Sequence, residues 1–466
     1  MINQDTICAI ATAPGGAIGI IRVSGSQAIE ITSQIFTPAQ GKPLTERKPY
    51  TLTFGQILSA EGEPIDEVLV SVFRAPHSYT GEDSAEIMCH GSSYILQQVM
   101  QRLIHYGCRS ALPGEYTQRA FLNGKMDLSQ AEAVADLIAS SSAATHRLAM
   151  NQMRGGFSKE LSELRDRLLH FTSLMELELD FSDHEELEFA DRDELKELAA
   201  QIEQVIARLT HSFSMGNAIK NGIPVAIIGE TNAGKSTLLN ALLNEEKAIV
   251  SDIHGTTRDV IEDTINLHGI TFRFIDTAGI RQTDDTIESL GIERTFQKME
   301  QASIVLWVID PADAEGQVSR LKEDILSRCE GKSLIILFNK TDLPSAMSRE
   351  FLLSMFADTD AEKLFISAKN RESITELENK LVKKASLPEI NQNDVIVTNI
   401  RHYETLTKAL DSIHRVQEGL QTGLPGDLIS EDLRQCIYEL GEIVAEGGIT
   451  SEETLQNIFK NFCIGK

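Results

Sequence analysis

The sequence is short of positive charge. Its 43 Lys and Arg stand against 69 Asp and Glu, a formal net charge of −26. That excludes a broad basic surface for nucleic acid, so a nucleic-acid substrate would need a local patch or a basic partner. Cysteine is sparse too: six, at positions 8, 89, 108, 329, 436 and 463, with no Cys-x-x-Cys pair. This usage suggests neither a zinc site nor a disulfide framework. No apolar run approaches the ~20 residues of a membrane span. The opening MINQDTICAIATAPGG has no basic stretch and carries Asp5, so it is a poor signal peptide. The chain is read as cytoplasmic, with reduced thiols. Internal repeats and low-complexity tracts are absent.

What is present suits about three domains at this length. Residues 1–120 alternate strand-like runs (IGIIRVSG, YTLTFGQI, DEVLVSVF) with turn clusters and one helix at about 92–106, an α+β pattern. Residues 121–216 read as helical, because apolar residues recur at three and four through KELSELRDRLLHFTSLMELEL and RDELKELAAQIEQVIARLTHSF. Residues 217–382 alternate strands with helices, the signature of a doubly wound parallel sheet. Residues 383–466 return to helix. Neither helical flank has an obvious complete core, so one helical domain with the α/β domain inserted into it is expected; two helical domains is the alternative. The acidic run ELELDFSDHEELEFADRDE lacks EF-hand spacing and reads as a solvated face or loop.

The chemistry begins at IPVAIIGETNAGKSTLLNALL, a strand, a loop and a helix. The loop fits G-x-x-x-x-G-K-[ST] through Gly229, Gly234, Lys235 and Ser236. Backbone amides of Asn232, Ala233, Gly234 and Thr237 are candidates to cradle phosphates, with Lys235 on the β- and γ-phosphates and Ser236 on Mg²⁺. HGTTRD supplies Thr256 and Thr257 for a switch loop. DTAG, Asp276 to Gly279 with Thr277 and Ala278, ends a strand with an acid suited to the metal and a glycine amide suited to the γ-phosphate. NKTD supplies Asn339, Lys340 and Asp342, and Asp342 can accept from both guanine donors, N1–H and the 2-amino group. Ser367, Ala368 and Lys369 form a second wall for the base. Five motifs in order, each following a strand, resemble the TRAFAC class of GTPases. Ile280 stands where Ras-like proteins place the glutamine that orients water. Another group must orient it; Arg258, Asp259, Arg281 and Glu288 are near.

Further stretches, TICAIATAPGGAIGIIRVSG, SYTGEDSAEIMCHG, PGEYTQRAFLNGKMDLSQAEAVADLI, SDIHGTTRDV and the terminal FCIGK, make the whole chain resemble the MnmE (TrmE) family of tRNA-modification GTPases. The resemblance implies a tetrahydrofolate-binding, dimerising N-terminal domain, a helical domain and an inserted K⁺-dependent G domain. It implies a homodimer working with MnmG (GidA), an FAD protein, in a heterotetramer. Together these install an aminomethyl or carboxymethylaminomethyl group on C5 of a tRNA wobble uridine, using a methylene-tetrahydrofolate carbon. By position it implies Arg22, Glu86, Lys125 and Lys466 as contacts to a 5-formyl- or methylene-tetrahydrofolate. It likewise implies Asn232, Ser251, Ile253 and Thr256 as K⁺ ligands, Ser236 and Thr257 as Mg²⁺ ligands, and Glu288 as the acid orienting water. Ribosome-assembly GTPases of the Era or EngA type share the nucleotide motifs but lack the start and the FCIGK end. Cys463 lies in the register of a prenylation box, but Gly465, Lys466 and the missing upstream basic residues argue against lipid. The tail is then either packed by its apolar residues or brings a reactive thiol to the folate site.

Overall fold

The computed structural model describes residues 5–13, 15–180, 192–243, 263–275, 299–344, 347–385 and 394–444, with isolated positions such as Phe296, Leu455, Phe459, Phe462 and Gly465. Most of the acidic run, residues 181–191, lies outside the described residues. They form two compact units: residues 1–139, 149–208 and 404–466, and residues 140–148 and 209–403.

The first unit holds a seven-stranded sheet of β1 (Ile7–Ile10), β2 (Ile18–Ser24), β3 (Phe36–Pro38), β4 (Thr51–Leu58), β5 (Pro64–Phe73), β6 (Ser84–His90) and β7 (Arg109–Ser110). The order is β3-β4-β5-β6-β2-β1-β7, antiparallel except for β1 with β7. Alternation sorts the side chains to two faces. Ile21, Val23, Val68, Val70, Val72 and Ile87 face a core shared with α1 (Ala28–Ile35) and α2 (Ser93–His105). On α2 the buried residues Leu96, Val99 and Leu103 fall on one stripe at helical spacing. The opposite face carries an apolar row, Phe54–Leu69–Met88–Ile20, in direct cross-strand register.

The long helices of this unit obey the same rule. Gly156–Asp180 buries Leu161, Leu164, Leu168, Phe171 and Met175, one residue every three or four. It packs along Gly426–Val444, which buries Ile429, Leu433, Cys436, Leu440 and Ile443. Each such side chain removed from water contributes about 1.5–3 kcal/mol. That seam joins helices from distant parts of the chain. Arg434 adds an exposed tie to Glu176 at 2.6 Å.

The second unit holds a six-stranded sheet of β8 (Ile223–Ile228), β9 (Asp263–Leu267), β10 (Ile270–Phe274), β11 (Ile304–Ile309), β12 (Ser333–Phe338) and β13 (Glu362–Phe365). The order is β13-β12-β11-β8-β10-β9, parallel except for the β9–β10 hairpin. Both faces are buried, which is why these strands read as continuous apolar runs. Val225, Ile227, Leu306 and Val308 pack toward the helices Lys235–Leu243 and Ile374–Ala385. Ala226, Ile228, Val305, Trp307 and Ile309 pack toward Ala314–Arg328 and Arg349–Ser354. The order reverses at β8, and ligands of such sheets bind beyond the carboxyl ends of the strands at that switch point.

Candidate functional site

Beyond β8 the chain turns sharply through Gly229–Gly234 into the helix Lys235–Leu243. Gly234 sits at φ +98°, and a Cβ there would lie 2.2 Å from the Asn339 amide nitrogen, so only glycine fits. Asn232 also takes a left-handed conformation, at φ +63°, which Asn tolerates better than most residues. Lys235 Nζ donates to the carbonyls of Gly229 at 2.9 Å and Glu230 at 2.7 Å, folding back over its own loop. The result is a concave backbone at a helix N-terminus, with a cation above it: an anion cradle. Ser236 and Thr237 stand in the first turn of that helix.

Asn339 stitches this cradle to the two loops beyond it. Its side chain is 2% exposed. Nδ2 donates to Ala233 O at 2.8 Å, and Oδ1 accepts from the Ala368 amide at 3.0 Å. One amide therefore ties together the first, fourth and fifth motifs, read separately in the sequence. Asp342 Oδ1 accepts from Ser367 Oγ at 2.7 Å. That bond holds the Asp342 carboxyl below the usual carboxylate range, so it is an ionised acceptor at neutral pH. Lys340 Nζ is fixed on Asp310 Oδ2 at 2.6 Å, and Lys369 is exposed at the rim. A base with two adjacent donors matches a carboxylate with free acceptor capacity. We therefore expect Asp342→Asn to exchange guanine for xanthine preference, because an amide can donate to the 2-oxo group. Competition between GTP and XTP in a hydrolysis assay checks this; an unchanged preference would remove Asp342 from base recognition.

The other residues that the sequence suggests for the nucleotide site, Ser251, Ile253, Thr256, Thr257, Asp276, Thr277, Ala278, Gly279 and Glu288, lie outside the described residues. So do Cys463 and Lys466 at the tail. Among the described residues, no group of three or more His, Cys, Asp or Glu could hold a metal ion. Ser236 supplies a hard hydroxyl oxygen beside the cradle, the donor type Mg²⁺ takes along with phosphate oxygens and water.

A second constellation lies in the first unit. Arg22 on β2 and Glu86 on β6 are cross-strand partners, joined at 2.8 and 2.9 Å and both largely buried. The Arg22 guanidinium lies 5.4 Å from the centroid of the Tyr79 ring and 5.7 Å from that of Tyr116. The Tyr116 hydroxyl donates to Arg22 O at 2.7 Å, and Tyr79 exchanges a hydrogen bond with Thr117. Burial pushes both phenols above their ordinary range, so both stay neutral. The C-terminal tail arrives at the same place: Arg22 Nη1 lies 3.4 Å from Gly465 O. Lys125 does not join this pair directly; it donates to Pro76 O at 3.0 Å, at the start of the loop that carries Tyr79. The structure thus brings together Arg22, Glu86 and the tail, residues more than 60 apart in sequence. The tyrosines that bracket Arg22 went unread, since no sequence spacing links Tyr79 or Tyr116 to position 22.

Five cysteines fall among the described residues and all are buried. Burial pushes Cys89 and Cys436 to about 12 and Cys329 to about 11. Cys8 is drawn below its ordinary range by a hydrogen bond from Cys108 but is sealed at 0% exposure. None of the five offers an accessible thiolate.

Among the described residues no helix is long and apolar enough to cross a bilayer. Comparison with known proteins gives a consistent result. The family model "MnmE helical domain" matches residues 128–463, and "GTP-binding protein TrmE N-terminus" matches residues 6–125. The chain is 76% identical over 498 aligned positions to a tRNA modification GTPase MnmE of Phocaeicola vulgatus, covering all of both chains. It is 70% identical over 469 positions to that of Bacteroides thetaiotaomicron and 53% over 471 to that of Flavobacterium johnsoniae, again covering all of both. The nucleotide cradle, the base loops and this full-length similarity place the chain in the MnmE family of tRNA modification GTPases.

Proposed function

We propose that this GTPase couples GTP hydrolysis to tRNA wobble-uridine modification. With an FAD-carrying MnmG (GidA) partner it adds an aminomethyl or carboxymethylaminomethyl group at C5, drawing the carbon from a tetrahydrofolate. The observation that carries this reading is the meeting of the tail with Arg22 and Glu86: Gly465 and a largely buried acid–base pair on two inner strands of the sheet. Folate carries a pterin and a glutamate tail, so one acid and a few cations suit it. Arg22, Glu86, Lys125 and Lys466 would hold it, and Cys463 would stand near its one-carbon unit.

In the second unit, GTP would be held by Asn232–Thr237, Asp276–Gly279, Asn339, Lys340, Asp342 and Ser367–Lys369. Mg²⁺ would sit on Ser236 and Thr257. K⁺ would sit on Asn232, Ser251, Ile253 and Thr256, with Glu288 orienting water. The domains are assigned as 1–120 for folate binding and dimerisation, 121–216 with 383–466 as the helical domain, and 217–382 as the G domain. The chain leaves the first unit at residue 208 and re-enters it at 404, which supports insertion. The apolar row Phe54–Leu69–Met88–Ile20 supports a homodimer, because Phe54 is 50% and Leu69 40% exposed. The partner would supply basic surface for tRNA that a −26 chain lacks. The site of action is the cytoplasm.

Nucleoside analysis of tRNA from cells lacking the protein tests the whole reading: unmodified C5 at the wobble uridine is expected, and normal modification would reject it. Replacing K⁺ by Na⁺ should slow GTP hydrolysis by at least about tenfold, since arginine fingers elsewhere contribute about 10³–10⁵ and a fixed cation would supply part of that. Equal rates in the two salts would remove Asn232 from cation binding.

A further inference from the structure

We propose that Arg320 is a positioning residue for the nucleotide: it neutralises a carboxylate built into the phosphate loop and fixes the peptide that grips Lys235. Glu230 is the second residue of that loop. A carboxylate there is unfavourable beside a phosphate chain, because like charges repel, and more so for GTP than for GDP. Arg320 Nη2 meets Glu230 Oε1 at 2.7 Å, from 90 residues further along the chain. The carbonyl of the same residue accepts from Lys235 Nζ at 2.7 Å and from the Ala233 amide at 3.2 Å. Glu230 is therefore held at both ends, by Arg320 through its side chain and by Lys235 and the loop through its backbone.

The base of this clamp is firm. Arg320 stands on the helix Ala314–Arg328, whose Ala314, Val318 and Ile325 are buried against β11 and β12. Its guanidinium is 63% exposed and the Glu230 carboxylate 27%, so the pair is partly screened. Its effect is on charge and placement of the loop rather than on the stability of the fold.

The test uses the full-length protein with Mg²⁺, a fluorescent-nucleotide titration for GTP and GDP at low and high NaCl, and steady-state hydrolysis. Arg320→Ala should weaken GTP about two- to fivefold, the scale of an exposed ion pair. GDP should weaken less, the loss should shrink at high salt, and KM should rise while kcat holds. Glu230→Gln should tighten GTP, and Arg320→Ala on that background should change nothing further. Arg320→Lys should recover most of the loss. Equal GTP affinity of Arg320→Ala and wild type at low salt would overturn the proposal. An identical loss in both backgrounds would also overturn it, making Arg320 a packing residue. If Arg320→Ala does not fold, Arg320→Gln in the two backgrounds carries the same comparison.

Discussion

Deleting Cys463–Lys466 should abolish tRNA modification and weaken folate retention, while GTP hydrolysis continues near its full rate. The tail is anchored before it reaches the site. Phe459 is 2% exposed in a cluster with Leu128, Ala131 and Leu455, and Phe462 packs against it at a ring distance of 5.1 Å. These anchors survive the deletion, so only the last segment is lost. Within it Gly465 lies against β1: it adopts φ +97°, and a Cβ there would lie 2.7 Å from Ile10 O. Gly465→Ala should therefore displace the end of the tail at a strain of ~1 kcal/mol or more, and reduce modification without deleting anything. The nucleotide loops described above all belong to the other unit, so phosphate release should report no change. Cys463→Ser then separates the two readings of the thiol. Loss of modification with normal GTPase and normal melting makes it reactive, and full activity makes it a packing residue. No described cysteine can substitute, since all five are buried. A truncated protein that modifies tRNA at the wild-type level would remove the tail from the site.

Replacing Arg119 by alanine should cost the first unit about 3–5 kcal/mol, the scale for removing one partner of a buried ionic network. Against a typical total of 5–15 kcal/mol that is a large fraction. Arg119 is 4% exposed. It donates to Asp5 O at 2.8 Å, Asp5 Oδ1 at 2.7 Å, Glu115 Oε1 at 3.0 Å and Glu82 Oε1 at 3.2 Å. Arg109 completes the cluster on Asp5 and Glu115. Removing Arg119 leaves Glu82 and the largely buried Glu115 with fewer donors. The network also sets an acid limit. The Arg109 hydrogen bond holds Asp5 below the usual carboxylate range. Burial pushes Glu115 up, but Arg109, the Leu112 amide and Arg119 together bring it below. Both pKa values are lower folded than unfolded, so their stabilisation is complete above the unfolded values, about 4. It is lost as pH falls through the folded values. Urea melts from pH 7 to 3 should therefore show wild type losing more stability on acidification than Arg119→Ala. A variant that melts with wild type at pH 7 would show the network to be dispensable.

Fold class was legible along the chain because it depends on local periodicity. The helical spacing in KELSELRDRLLHFTSLMELEL became the buried stripe Leu161–Met175, and IPVAII became a strand buried on both faces. The strands IGIIRVSG, YTLTFGQI and DEVLVSVF appear as β2, β4 and β5, and the helix near 92–106 as α2. The edge strands β3 and β7 left no mark, because three and two residues carry no period. β6, SAEIMCH, alternates but was not singled out, and only its pairing with β2 and β5 makes it central. The phosphate loop, NKTD and SAK were legible as types because their chemistry needs few residues at short spacing.

The sequence by itself thus determined the periods, the motifs and the absence of a broad basic face. Tertiary structure alone decided which side chains meet. Asn339 joins Ala233 to Ala368, Arg320 reaches back to Glu230, and Tyr79 and Tyr116 close on Arg22 where Gly465 arrives. Helical and strand periods act over a few residues, whereas these contacts span from 29 to 443 and exist only once sheets and helices have packed. The physical reason is that hydrophobic burial, which is non-directional, chooses the pairings of elements, and the directional bonds are then made by whatever polar groups that packing brings together.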